Sequence, residues 1–178
     1  MESDETKFFP TDYLSSDYYE KMRGRKAYAF WLIGNSGSGK STLAKPFAEL
    51  IGGVWINADQ VREQYNDWDF SPEGRIRQAQ RMRYLSDGVV RAGGIAVADF
   101  VCPTEKARKE FDADYVVWMD TIKEGRFEDT NKMFETPKDV NYHVAEWFND
   151  THAQLLEVVQ NYMRMKEGLP TLPIGVKK

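Results

Sequence analysis

Ala27-Tyr28-Ala29-Phe30-Trp31-Leu32-Ile33-Gly34-Asn35-Ser36-Gly37-Ser38-Gly39-Lys40-Ser41 decides how this chain is read. The stretch through Ile33 is continuously apolar and β-prone, as expected of a parallel strand buried on both faces. Gly34 to Gly39 breaks the strand, and a helical pattern runs on from Lys40 to Ile51. A strand, a glycine-rich turn and a helix with the spacing G-x-x-x-x-G-K-S form a phosphate cradle. The glycines let the backbone curl until the N–H groups of Gly34, Ser36, Gly37, Ser38 and Gly39 point inward, and the helix adds its positive end. Lys40 brings a mobile charge to the β- and γ-phosphates of a nucleoside triphosphate, and Ser41 a hydroxyl to Mg2+.

Outward from this loop the pattern alternates. Val54–Asn57 and Ile95–Ala98 read as strands, as do Tyr115–Met119 and Val140–Val144. Helices are predicted from Asp59 to about Asn66, from Pro72 to Ala92 with Gly93-Gly94 ending it, and from His152 to Lys166. Gly125–Lys138 is polar and aperiodic and reads as a loop. Strands alternating with helices imply a three-layer α/β/α sandwich of the P-loop NTPase type, with a mostly parallel central sheet. The expected organisation is an N-terminal segment over 1–25 with a short helix at Asp17–Arg23, a P-loop kinase domain over 26–167, and an extended tail over 168–178.

The bulk numbers fit one domain. There are 178 residues, 42% of them hydrophobic, which is ordinary for a globular core. A net charge of −4 argues against wrapping a nucleic-acid backbone, which asks for a basic surface. Cys102 is the single cysteine, so no internal disulfide can form, as suits a reducing cytoplasm. The start lacks the basic flank and apolar run of a secretion signal, and no apolar stretch reaches the ~20 residues of a membrane span. The expectation is a cytoplasmic protein. No guanine-reading N-K-x-D follows the loop, since Asn131-Lys132-Met133 continues into Phe134; a compact kinase is favoured.

Asp59 follows the second strand, at the carboxyl edge where open α/β sheets bind ligands. A carboxylate there can take the proton of an attacking hydroxyl or hold Mg2+; the plainer role is a helix N-cap, and both roles can coexist. Asp99 ends the third strand and can touch Mg2+ or cap a loop. On the long helix Ile76, Ala79, Met82, Leu85, Val89 and Val90 form an apolar stripe. Arg75 falls within it and Gln78 at its edge, so Arg75 asks for an anionic partner, either a substrate group or a buried carboxylate. Arg77 and Arg83 read as ordinary surface charges. Phe70 can stack on a flat ring or sit in the core.

The order of these motifs resembles the adenylylsulfate kinase family, whose members phosphorylate the 3′-hydroxyl of adenosine 5′-phosphosulfate with MgATP. Trp31 to Ala44 is close to the family's W-L-T-G-L-S-G-S-G-K-S-T-L-A, and Ile56-Asn57-Ala58-Asp59-Gln60-Val61-Arg62 resembles L-D-G-D-N-V-R. The resemblance implies ATP and Mg2+ as cofactors, with Thr42 beside Ser41 at the nucleotide. It makes Asp59 the catalytic carboxylate, acting with Lys40, while Ser41, Asp59 and Asp99 remain the metal-side candidates from their places at the loop and strand ends. It places Asp59, Arg62, Asn66, Phe70, Arg75, Gln78, Cys102 and Phe127 around the acceptor, and it implies a homodimer.

Val101-Cys102-Pro103 is similar to the family's I-S-P, with Arg108 matching a following arginine, and Phe127 to Pro137 is similar to its lid end. Asn57 stands for the first Asp, Gln78 for an Asn, Cys102 for a Ser and Glu105 for an Arg. Between Thr121 and Phe127 about twenty residues of a helix and basic lid, the element that excludes water and clamps ligands, have no counterpart. The residues leave two further readings open: a related kinase for another hydroxyl acceptor, such as a nucleoside, a sugar or a modified base, and a non-catalytic nucleotide-binding protein.

Overall fold

The computed structural model describes residues 28–173. The short helix expected at Asp17–Arg23 lies outside them. The sheet begins with β1 (Tyr28–Gly34), whose side chains are buried on both faces. The phosphate-loop residues follow, then α1 (Lys40–Ile51) and β2 (Val54–Asn57). Next come α2 (Ala58–Tyr65), α3 (Pro72–Arg91) and β3 (Ile95–Asp99). After β3 run α4 (Glu105–Phe111), β4 (Tyr115–Met119), α5 (Glu128–Met133), β5 (Tyr142–Val144) and α6 (Thr151–Lys166).

The five strands lie in the order β2-β3-β1-β4-β5, and every neighbouring pair is parallel. β1 is therefore central, and its period-two alternation feeds two cores. Phe30 and Leu32 pack under Leu43 and Phe47 of α1 and Leu155 and Val159 of α6. Trp31 and Ile33 face Val61, Ala79, Met82 and Phe111, from α2, α3 and α4. The sheet is thus the middle of three layers, the sandwich expected. In the register Asn57 pairs with Asp99, and Gly34 with Met119, so the carboxyl ends of four strands converge at one edge.

Two elements differ from expectation. α4 occupies a stretch with no predicted helix, and Thr104 caps it by accepting from Ala107 N–H. α5 lies within Gly125–Lys138, the stretch whose sequence reads as a loop; it buries only Thr130, too little apolar surface to leave a periodic trace. The face of α3 is also more polar than its stripe. Gln78 and Ser86 are buried beside Ala79 and Met82, the Ser86 hydroxyl donating back to Met82 O at 2.8 Å. Beyond α6 the chain turns at Gly168, φ 70°, and its next residues are tied back: Asn161 exchanges two hydrogen bonds with the Leu172 backbone at 2.7 and 2.8 Å.

Candidate active site

The loop sits where β1 must turn away from β4. A Cβ on Gly34 would collide with Met119 O, and φ there is +152°, so only glycine lets the strand end this close to its neighbour. Gly37 and Gly39 follow with φ of 89° and 92°, and α1 starts at Lys40. Lys40 is buried, its Nζ donating to Asn35 O at 2.9 Å. Burial pulls its pKa down to about 8, against the opposing pull of Asp99 and Asp59.

At the sheet edge Asp99 is the hub of a small polar network. It accepts from Ser41 Oγ at 3.1 Å and from Trp55 Nε1 at 2.5 Å. Asn57 Nδ2 reaches both its oxygens, at 3.1 and 3.3 Å, and Ser41 Oγ at 3.2 Å. Burial raises the Asp99 pKa, opposed by these hydrogen bonds and by Lys40. Ser41 and Asp99 thus offer a hydroxyl and a carboxylate side by side. No cluster of three or more acidic or imidazole side chains able to cage a metal occurs among the described residues. One or two protein oxygens next to a phosphate cradle suit Mg2+, which retains water and phosphate ligands. The residues present therefore fit MgATP.

Asp59 does not cap α2. Asn57 does, its Oδ1 accepting from Gln60 N–H at 3.1 Å, while Asp59 sits exposed in the first turn. It makes no hydrogen bond among the described residues, and it lies within electrostatic reach of Lys40 and Arg62.

A cavity of about 610 Å³ joins these groups. Ser36, Gly37, Gly39, Lys40, Ser41 and Thr42 line one side, with Asn57, Asp59 and Asp99 at its floor. Arg62, Phe70, Arg75, Gln78, Cys102 and Phe127 line the other. Phe70 is not core; it is half exposed, with the Arg62 guanidinium 4.4 Å and that of Arg75 5.5 Å from its ring centre.

Arg62 is buried yet donates to the carbonyls of Asp67 and Asp69, and Arg75 to Phe70 O and Thr130 Oγ1. Neither is paired to a carboxylate among the described residues. Gln78 Nε2 donates to Ala58 O, and its buried Oε1 has no partner there. Cys102 forms part of the wall in a left-handed conformation, φ 41°, and burial pushes its thiol well above the usual range.

Several expected residues stand elsewhere. Gly34 and Ser38 support the loop from behind rather than lining the cavity. Asn66 lies outside it as the left-handed C-cap of α2, φ 48°, a conformation Asn tolerates. Arg108 is a buried strut, its Nε and Nη2 donating to Cys102 O and Pro103 O and its Nη1 to Glu105. Arg77 and Arg83 are more engaged than surface charges. Arg77 pairs with Asp67 and Asp69, and Arg83 with Asp87 while donating to Phe111 O and Asp112 O.

Trp68, Arg126 and Thr130 also line the cavity, and none of them is among the expected residues. Only the tertiary fold brings them in; nothing in their local sequence marks them. No helix among the described residues is long and apolar enough to cross a membrane.

Comparison with known proteins agrees with this geometry. The chain is 36% identical over 100 residues to an adenylyl-sulfate kinase of Prochlorococcus marinus, covering 51% of this chain and 50% of that one. It is 32% identical over 97 residues to the adenylyl-sulfate kinase of Staphylococcus haemolyticus, covering 51% and 49%. The chain thus matches about half the length of these curated relatives. In fold it is similar to the APS kinase of Mycobacterium tuberculosis solved with AMPPNP and APS, with a TM-score of 0.63 and 16% identity over 75% of this chain and 98% of that one. The shikimate kinase of Aquifex aeolicus shares the fold at a TM-score of 0.53 and 15% identity, over 75% and 97%. A family model described as adenylylsulphate kinase matches residues 26–144, the span from the lead-in of β1 to the end of β5, and by that match the chain belongs to the adenylylsulphate kinase family.

Proposed function

We propose that this chain transfers the γ-phosphoryl group of MgATP to the 3′-hydroxyl of adenosine 5′-phosphosulfate. The observation that carries the reading is one cavity holding a triphosphate cradle on one side and two guanidinium groups, Arg62 and Arg75, without carboxylate partners on the other. A cation withdrawn from water calls for an anion, and a phosphosulfate acceptor supplies one. Phe70 offers the flat face for its base, and Gln78 an unused acceptor oxygen.

In this reading Lys40 and the loop amides hold the γ-phosphoryl oxygens, where charge spreads in a loose, in-line transfer. Asp59 orients the acceptor hydroxyl and takes its proton as the new O–P bond forms and the bond to the departing ADP breaks. Ser41 and Asp99 would hold Mg2+, which neutralises charge on the phosphate oxygens when bound. The test is ADP release measured with and without adenylylsulfate. Turnover that depends on adenylylsulfate is expected; no response to it in either turnover or binding would sink the reading. Size-exclusion chromatography with light scattering checks the homodimer that the resemblance implies.

A second acceptor is favoured by one observation: residues 120–127 connect β4 directly to α5, leaving the acceptor side without a long cover. A screen of nucleoside, sugar and modified-base hydroxyls with labelled ATP separates the two readings.

A further inference from the structure

The segment from Asp120 to Phe127 is bolted to the phosphate loop. Thr121 Oγ1 donates to Ser38 O at 2.7 Å, and Asn35 Nδ2 to Lys123 O at 3.3 Å. Gly125 lies so close that a Cβ there would stand 3.0 Å from Ser36 N and 3.1 Å from Ser36 O. Asn131 of α5 fixes the same residue from outside, accepting from Gly125 N–H at 2.7 Å and donating to Gly125 O at 3.0 Å. Arg126 comes next, and its Nε is 3.7 Å from the point where a Cβ on Gly37 would stand.

Arg62, Arg75 and Arg126 are the arginines lining the cavity, and Arg62 and Arg75 are both hydrogen-bonded to the protein. Arg126 is exposed and has no hydrogen-bonded or ionic partner among the described residues. It is flanked in the cavity by Phe127 and Thr130, the latter bonded to Arg75. Its guanidinium therefore stands against the loop at Gly37 and in the same cavity as Arg75 and Phe127.

We propose that Arg126 is a further substrate-contacting cation on the donor side, gripping the terminal phosphoryl group of the bound triphosphate from a fixed strap instead of a mobile lid. The proposal rests on the donor-site reading of the loop, not on the identity of the acceptor. A planar guanidinium suits two phosphate oxygens at once and stabilises charge that spreads onto them during transfer. Because a diphosphate lacks the terminal group, the contact discriminates triphosphate from diphosphate.

Titration calorimetry without acceptor, using Mg2+ with AMPPNP and with ADP, tests this on the full chain and on R126A, R126K and K132A. R126A is expected to weaken AMPPNP about tenfold or more while changing ADP less than about threefold, with R126K intermediate. Lys132 is an exposed cation of α5 paired with Glu128, and K132A, an equal charge change, should leave both affinities alone. Equal losses for AMPPNP and ADP in R126A, or no loss in either, would overturn the proposal. Arg126 makes no hydrogen bond or ion pair within the described residues, so the melting temperature should not move. If R126A nevertheless melts lower, R126Q, which keeps a longer polar side chain, should show the same selective loss of AMPPNP. A selective loss of AMPPNP in a protein that ignores adenylylsulfate would refute the acceptor reading alone. Equal affinities beside normal adenylylsulfate-dependent turnover would refute the role of Arg126 alone.

Discussion

Replacing Asn57 by Asp exchanges an amide nitrogen for an oxygen and sets two carboxylates against each other. Asn57 Nδ2 lies 3.1 and 3.3 Å from the oxygens of Asp99 and 3.2 Å from Ser41 Oγ. The cap of α2 survives the exchange, because the bond from Gln60 N–H needs only an oxygen. What changes is the buried contact: two carboxylates so close cannot both ionise, so the pair shares one proton. Holding a proton at pH 7 on a group whose free pKa is about 3.9 costs up to about 4 kcal/mol. The hydrogen bond formed by the shared proton replaces the lost amide contact and offsets part of that, leaving about 2–4 kcal/mol. At about 2–4 °C per kcal/mol for a chain of this size, N57D should melt roughly 5–15 °C lower at pH 7.

The pH dependence has a definite sign. The folded pair holds its proton at a pH where the unfolded carboxyl has lost it. Stability therefore falls as pH rises from about 4 through the raised folded value, and the deficit against the unsubstituted protein nearly vanishes toward pH 4. Asp99 already shows the same sense in the unsubstituted protein, because burial raises its pKa; the prediction concerns the difference. Mg2+ should recover the melting temperature of N57D by more than it raises that of the parent, since the pair is a better oxygen site. Scanning calorimetry from pH 4.5 to 8, with and without Mg2+, measures all of this. Equal melting temperatures at pH 7 without metal, or a deficit that widens toward acid, would refute the account of the hub.

Two further outcomes follow from the same geometry. Lys40→Ala and Asp59→Ala should each lower kcat by at least ~100-fold, and near-wild-type turnover in either variant would remove that residue from its assigned role. Lys40 titrates at about 8 in the free protein and near 10.5 when unburied. Its burial cost is thus present in full below about 8 and is relieved as pH rises toward 10.5, where the unfolded lysine also loses its proton. Triphosphate affinity should decline as pH rises through about 8, and binding above that value should take up protons. Calorimetry in buffers of different ionisation enthalpy reads the uptake directly, and an affinity flat from pH 7 to 9.5 would contradict it.

The elements legible in the sequence are those whose own chemistry declares them. The apolar run into Ile33 can only be a buried strand, and glycines at 34, 37 and 39 can only be a turn with left-handed or crowded backbone. α4 and α5 escape such a reading because they are short and bury little: Ala107, Arg108 and Phe111 in one, Thr130 in the other. Neither has room for a 3.6-residue stripe. The Asp99 hub is equally invisible, since Trp55 and Asp99 meet across 44 residues and only the parallel register of β2 on β3 joins them. Proximity to a strand end suggests Asp59 as the helix cap, whereas the helix begins a residue earlier and Asn57 caps it. Arg126 stands in a polar stretch with no period, and only the docking of its strap on the loop brings it to the cavity.

The displaced cap bears on function. Asp67 and Asp69 are held by Arg77, and Asp99 by Trp55, Asn57 and Ser41. Asp59 contributes nothing comparable to the fold: it is exposed, makes no hydrogen bond among the described residues, and lines a cavity within electrostatic reach of Lys40 and Arg62. Were it the cap, one of its oxygens would be tied to a first-turn N–H; with Asn57 in that place both oxygens of Asp59 are left open to the cavity. Asn57 accepts from Gln60 N–H with a neutral amide oxygen, and the amide's nitrogen donates to Asp99. One uncharged side chain thereby leaves the two carboxylates in different surroundings, Asp99 hydrogen-bonded at the sheet edge and Asp59 open to the cavity. On the proposed reading this difference suits in-line transfer from a triphosphate to an alcohol, with Asp99 on the metal side, Asp59 at the hydroxyl and the cationic wall of Arg62 and Arg75 for an anionic acceptor.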